Sequence, residues 1–230
     1  MQHENINNET RLTRIQALVV EILNDLLRAP IDETDASIEQ AIVRLGDYCV
    51  RDRSYVFVHN GPITDNTHEW CAEGIEPAIE HLQGLPIELY GPIAERLDLG
   101  EHFHVPDVSK LAEGSPSREL LESQMIKSIL LVPMRWEGET YGFVGFDGVR
   151  NTHAFLPGEV YLLQSVADVI CSVLVRREKD NAVRAAQSDL ADEQAFLASI
   201  LATSAMGIIV LDDAGIIQFA NDAAEDVIGA

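Results

Sequence analysis

Residues 127–149 read KSILLVPMRWEGETYGFVGFDGV. Two apolar runs, 128–136 and 140–146, flank the short polar link Glu137-Gly138-Glu139. A glycine-containing link between such runs predicts a β-hairpin. Alternation puts Ile129 and Leu131 on one face of the first strand and Leu130, Val132 and Met134 on the other. Both faces are apolar, so the hairpin belongs in a sheet covered on both sides. Pro133 has no N–H to give a ladder, which predicts a bulge or an unpaired edge there. Gly142, Gly145 and Gly148 recur every third residue and leave room for close approach, either of packed protein groups or of a small molecule.

On the N-terminal side, residues 9–28 place Leu12, Ile15, Leu18, Val19, Ile22 and Leu26 at helical spacing. That stripe predicts an amphipathic helix that needs a partner, and Ala29-Pro30 ends it. A second helix starts near Asp35 or Ser37 and runs to about Cys49-Val50, with Ile38, Ile42, Leu45 and Cys49 on one side. Residues 53–59 are rich in β-branched and aromatic side chains and read as a strand. Asn60-Gly61-Pro62 is a turn, and 67–72 the next strand. Short helices are expected around 78–82 and 93–97, and a short strand over 101–105. A helix over 117–124 follows, capped by Ser117, with Leu120 and Leu121 inward.

On the C-terminal side, Pro157 opens a helix that runs without a break to about Leu201. Val166, Val169, Val173, Val183, Leu190, Leu197 and Leu201 share one heptad seam, interrupted by Arg176, Asp180, Gln187 and Gln194. The first part suits packing on the domain. The second suits a dimeric coiled coil with a weakened seam, or a solvated linker helix. Residues 208–211 and 216–219 are strands around the Asp212-Asp213-Ala214-Gly215 turn, and Asn221 caps a last helix. Two strands and part of a helix cannot bury a core, so a second domain cut short is expected here.

The 230 residues carry a formal charge of −22, a field that repels nucleic-acid phosphates and anionic lipid. No apolar run approaches the length needed to span a bilayer, and the polar start MQHENINNETR is no secretion signal. Cys49, Cys71 and Cys171 are scattered and odd in number, which points to a reducing cytoplasm without a disulfide framework.

The order helix, helix, two strands, helical segments, strand, helix, hairpin, long helix resembles a GAF domain. The resemblance is carried by Arg53-Ser54-Tyr55-Val56-Phe57, Thr67-His68-Glu69-Trp70-Cys71, Lys127 to Met134, and Tyr141-Gly142-Phe143-Val144-Gly145-Phe146-Asp147. The spacing from Val210 to Asn221 resembles the opening of a PAS domain. This implies an α+β fold, a GAF-type antiparallel sheet with helices on both sides, followed by a long signalling helix and an incomplete PAS start. The implied division is a helix over 1–28, GAF over 29–176, coiled-coil linker over 177–202 and truncated PAS over 203–230. It also implies a non-enzymatic sensory input module of a bacterial signalling protein, homodimeric through its N- and C-terminal helices, or else a ligand-free dimerisation scaffold. Any enzymatic output is expected beyond Ala230.

In the GAF resemblance a ligand sits between the sheet and the segments crossing it, with 77–110 as a lid. Phe57, His68, Trp70, His104, Asp107, Tyr141 and Phe143 are then the candidate pocket residues. Trp70 offers a flat face and one donor, and His104 with Asp107 a polar edge. Half-buried aromatics such as Phe57, Trp70 and Phe143 more commonly form simple core, and His68-Glu69-Trp70 suits fastening a loop to the sheet. His102-x-His104 is at most half of a metal site. The cysteine–histidine pair of bilin-binding GAF domains, the clustered cysteines of GAF-type methionine-sulfoxide reductases and the NKFDE-type pattern of cyclic-nucleotide-binding GAF domains are absent. No cofactor is therefore assigned.

Overall fold

The structure is a computed structural model that describes the backbone of residues 2–228 and the side chains of residues 14–226. Leu12 of the first helical stripe lies outside the described side chains. In chain order the elements are α1 (Gln2–Arg28), α2 (Thr34–Cys49), β1 (Arg53–Asn60), β2 (Ile63–Cys71), β3 (Leu85–Pro86) and α3 (Pro92–Asp98). There follow β4 (Phe103–Val105), α4 (Pro116–Ser123), β5 (Ser128–Trp136), β6 (Glu139–Gly148), α5 (Pro157–Thr203), β7 (Ile209–Leu211), β8 (Ile217–Ala220) and α6 (Asp222–Ile228). Residues 1–177 and 178–230 form two compact units, with the boundary inside α5.

The organising hairpin is β5–β6. Glu137 and Gly138 form its turn with φ of 52° and 94°, the paired positive values of a two-residue type I′ connection. The hairpin sits in a six-stranded sheet ordered β3-β2-β1-β6-β5-β4, antiparallel throughout. As the alternation required, its two faces enter two separate cores. Leu130, Val132 and Met134 join Val56, Val144 and Phe146 under α1, α2 and α5. Ile129 and Leu131 join Tyr55, Phe57 and Phe143 under the crossover between β2 and β5, through Tyr90, Ile93, Leu97, Val108, Leu121 and Ile126.

Two bulges set the phase of this alternation. In β1–β2, Val56 faces His68 but Phe57 faces Asn66, so Thr67 is the extra residue. In β5–β6, Met134 faces Gly142 but Arg135 faces Thr140, so Tyr141 is the extra one. An extra residue turns its own side chain, and the count beyond it, toward the other face. Pro133 lies just before the second bulge, and β4 pairs only with 129–131, so the β5 edge at Pro133 carries no strand. The repeated glycines serve packing. A Cβ on Gly142 would lie 2.0 Å from the Phe57 carbonyl oxygen, on Gly145 2.3 Å from the Tyr55 ring, and on Gly148 2.4 Å from Ser128 Oγ.

Several boundaries differ from expectation. β2 begins at Ile63 rather than 67, because Thr64 and Asn66 are buried and Asn66 N–H donates to the Leu82 carbonyl. The 78–97 region holds a 3₁₀ turn (Ile79–His81), β3, a second 3₁₀ turn (Ile87–Tyr90) and α3. β4 starts at Phe103, leaving His102 outside it. α4 is preceded by Ser115, not Ser117, because Pro116 takes its first position.

The start of α5 is clamped. Arg51 Nη2 and Glu159 Oε1 form a buried ion pair at 2.8 Å, and the Arg51 guanidinium lies 4.6 Å from the centre of the Phe155 ring. Glu159 Oε2 also accepts the Leu156 N–H at 2.8 Å. Where α5 leaves the sheet, Arg176 donates to the Ala29 carbonyl and Arg177 to Asp35. One sequence expectation needs correction. α5 holds an 18-residue window long and apolar enough, by length and composition, to cross a bilayer, but 56% of that window is buried inside the molecule. Leu162, Leu163, Val166 and Ile170 place it against the sheet.

In the second unit β7 and β8 pair antiparallel around Asp212, whose Oδ1 accepts the Ala214 and Ile216 N–H groups. Buried Asn221 accepts the Ile208 and Ala224 N–H groups through Oδ1 and donates through Nδ2 to the Leu201 and Met206 carbonyls. The side chains of Val183, Leu190 and Leu197 are about half exposed.

Candidate functional site

The crossover face of the sheet carries the candidate site. Facing residues in an antiparallel pair share a face. The ladder therefore brings together Glu69 opposite Tyr55, Arg53 opposite Asp147, Phe57 opposite Phe143 and Ile129 opposite Asp147. Phe57 and Phe143 stack with ring centres 4.6 Å apart, and Tyr90 from the crossover meets them edge-on at 6.1 and 5.7 Å. Beside these rings lies a cavity of about 30 Å³. That is room for two or three waters or a ligand of similar size.

One end of this cavity is polar. Tyr55 O–H donates to Asp147 Oδ1 at 2.7 Å. Arg53 Nη2 donates to the Glu76 carbonyl at 3.1 Å, while Arg53 Nε is buried without a hydrogen-bond partner. Glu69 Oε2 accepts the Ala78 and Ile79 N–H groups at 2.7 and 2.9 Å, fastening the crossover to the sheet. Burial raises the Asp147 pKa to about 7, helped by the charges of Glu69 and Asp52 and opposed by Tyr55 and Arg53. Burial and the neighbouring Asp147 push the Tyr55 phenol well above its ordinary range. Asp147 thus titrates near neutrality inside an apolar wall, where a change of charge acts strongly on whatever lies beside it.

Of the seven candidates, only Phe57 and Phe143 line the cavity. Trp70 lies on the helical face, where its indole fills the space above Gly46 of α2. His68 faces Val56 on that same side, and its Nε2 meets Asp35 of α2 at 3.2 Å. Tyr141 is the bulged residue and packs in the helical core. His104 alternates with Phe103 and Val105, so its ring meets Phe155 at 5.1 Å rather than the cavity. Asp107 caps a 3₁₀ turn by accepting the Ser109 N–H at 3.1 Å and borders a separate open groove of about 280 Å³.

The residues missed were Arg53, Tyr55, Glu69, Tyr90 and Asp147. Counting in twos from Phe57 and Phe143 reaches Tyr55, Arg53 and Asp147. Glu69 then follows because it alternates with His68 and Trp70. Tyr90 carries no such signal, because it comes from an irregular segment. Burial, with the charge of Glu69 next, raises the Cys71 thiol to about 11. It is therefore protonated near neutrality and a weak nucleophile. Among the described residues no group of three or more His, Cys, Asp or Glu side chains is placed to hold a metal ion.

The model of the GAF domain family matches residues 33–174. The methanogenesis regulatory histidine kinase FilI of Methanothrix harundinacea (strain 6Ac) is 32% identical over 164 residues, 66% of this chain. The match spans 18% of that kinase's length. Among solved structures, the blue-light absorbing form of the Thermosynechococcus elongatus PixJ GAF domain superposes with a TM-score of 0.56 at 18% identity, covering 66% of this chain and 90% of that one. The chromophore-binding domain of the bacteriophytochrome RpBphP3 from R. palustris gives 0.59 at 11% identity, covering 74% and 62%. At these identities the structural likeness concerns the fold.

Proposed function

This chain belongs to the GAF domain family, and on that premise we propose that it is a non-enzymatic sensory input module of a larger signalling protein. A small ligand or a partner acts on the crossover face, and the change reaches α5 through the sheet. The observation that carries this reading is the opposite placement of neighbouring residues. Leu131 lines the cavity while Leu130 packs in the core that holds α5. A shift in the one is felt by the other across a single strand, since packed cores transmit strain. The likeness to a regulatory histidine kinase supports a sensory role, and the β7–β8 hairpin with its Asn221 cap supports a PAS start after the linker. The seam positions Val183, Leu190 and Leu197, each exposed by more than half, support pairing of α5 with α5 of a second copy.

The intact protein tests this. Gln187→Leu and Gln194→Leu strengthen one register of the paired helix and lock the output. An unchanged response to signal with both substitutions overturns the coupling. A second reading, a ligand-free dimerisation scaffold, is favoured by the small volume of the cavity. Native mass spectrometry separates the two: a retained small molecule supports sensing, and an empty dimer supports the scaffold.

A further inference from the structure

Resting on the reading of the crossover-face cavity as a ligand site, we propose that its occupant is a small uncharged molecule with an amide-like edge and an apolar body of about one or two carbons, the size of the two or three waters the cavity holds. The amide oxygen meets Arg53 and the amide N–H meets Asp147. Arg53 and Asp147 face each other across the β1–β6 ladder and both line the cavity. Such a pair presents a donor beside an acceptor, on side chains whose Cβ atoms lie about 5 Å apart. Arg53 is 5% exposed and Asp147 2%, so neither exchanges its partners freely with bulk water. Arg53 Nε is a buried donor without a partner, a costly arrangement that an acceptor on the ligand relieves. Asp147 takes its side-chain hydrogen bond from Tyr55 at Oδ1. The rest of the wall is mostly apolar, with Phe57, Phe143, Leu131 and Ile129, and also carries Glu69 and Gln124.

Charge argues against the two obvious alternatives. An anion would be drawn to Arg53 but would sit beside Glu69 and Asp147. A cation would be drawn to those acids but would leave Arg53 Nε unpartnered and add a like charge next to it. The aromatic rings do not form an open cage for a cation either, because Phe57 and Phe143 stack on each other at 4.6 Å with 13° between their planes. A neutral amide, whose carbonyl accepts and whose N–H donates, satisfies both side chains without adding charge.

Acetamide, acetate, acetamidinium and isobutene test the proposal, since they are alike in size, share a methyl group and differ only at this edge. Each is titrated into the full 230-residue chain at pH 8, with the side-chain NMR signals of Phe57, Phe143 and Arg53 Nε as readout. Acetamide is expected to bind at least about tenfold more tightly than the other three, the scale of a charge-assisted hydrogen bond made or lost. Arg53→Gln should remove that preference, leaving acetamide no tighter than isobutene. If Arg53→Gln does not fold, the four-ligand order on the unaltered chain decides alone. Acetate, acetamidinium or isobutene binding as tightly as acetamide overturns the amide assignment and leaves the cavity a ligand site. No shift of the Phe57 and Phe143 signals with any of the four overturns the ligand-site reading itself, and the amide assignment with it.

Discussion

The two faces of the one sheet are built to different standards. On the helical face, Leu130, Val132 and Met134 are fully buried under long helices, and the buried ion pair Arg51–Glu159 is closed by the Leu156 N–H and the Phe155 ring. On the crossover face, short helices and 3₁₀ turns cover the strands. There a buried carboxyl titrates near neutrality and a cavity remains, whereas a buried guanidinium Nε without a partner occurs on both faces, at Arg51 and at Arg53. Regular helices bury their stripe and satisfy their own backbone. Irregular segments must be fastened by side chains such as Glu69, and they leave gaps. Closely packed structure suits a rigid mount for α5, whereas a less completely packed one can respond to a ligand.

Four measurements break or sharpen that contrast, from the largest effect down. Glu159→Gln leaves Arg51 buried without its counter-charge and should cost about 3–5 kcal/mol in urea denaturation. A loss below 1 kcal/mol would show that the helical face is not closed as described. Next comes pH. Asp147 moves from an ordinary 3.8 to about 7 in the fold, so the folded protein holds its proton more tightly than the unfolded chain. Its contribution is fully present below about pH 4 and is lost as pH rises through about 7. At about 1.4 kcal/mol per unit the loss is bounded at roughly 4 kcal/mol. Asp147→Asn should flatten stability between pH 4 and 8 and raise it at pH 8; an unchanged pH profile would contradict the buried carboxyl.

Leucine truncation on either side of one strand compares the faces directly. Leu130→Ala should fall at the upper end of the roughly 2–5 kcal/mol range, because rigid helices cannot close the hole, and Leu131→Ala at the lower end, because short segments can. Equal denaturation midpoints for the two variants would erase the contrast. The smallest effect is expected at the exposed α1–α2 clamp, where Arg44 meets Glu21 at 2.6 Å and Asp25 at 2.8 Å. Arg44→Ala should change stability by less than about 1 kcal/mol, and less still at high salt.

Much of the fold was legible along the chain. The alternation of 128–134, the Glu137-Gly138 turn, the stripes of α1 and α2 and the length of α5 each depend on neighbours within a few residues. The site was half legible. Phe57 and Phe143 were found as aromatic residues on strands. Trp70, His68 and Tyr141 were misplaced because bulges at Thr67 and Tyr141 set which face each side chain takes. Pro133 signals an irregularity near the second bulge, but no local rule places the extra residue at Thr67 or Tyr141, since bulges arise where a strand must fit its partner's twist. Arg53, Glu69 and Asp147 look like ordinary solvated charges, and only burial beneath the crossover makes them chemically unusual.

The sequence by itself determined that this chain makes a doubly covered antiparallel sheet, continues into one long helix and then enters a further α/β segment. Those outcomes follow from periodicities of two and about 3.6 and from glycine and proline at the turns. Tertiary structure alone decided which charges lost their water, which donors were left without an acceptor and which aromatics border a cavity. Those properties depend on what lies across space from a residue, and residues as distant as Arg53, Glu69 and Asp147 become neighbours only when the strands pair.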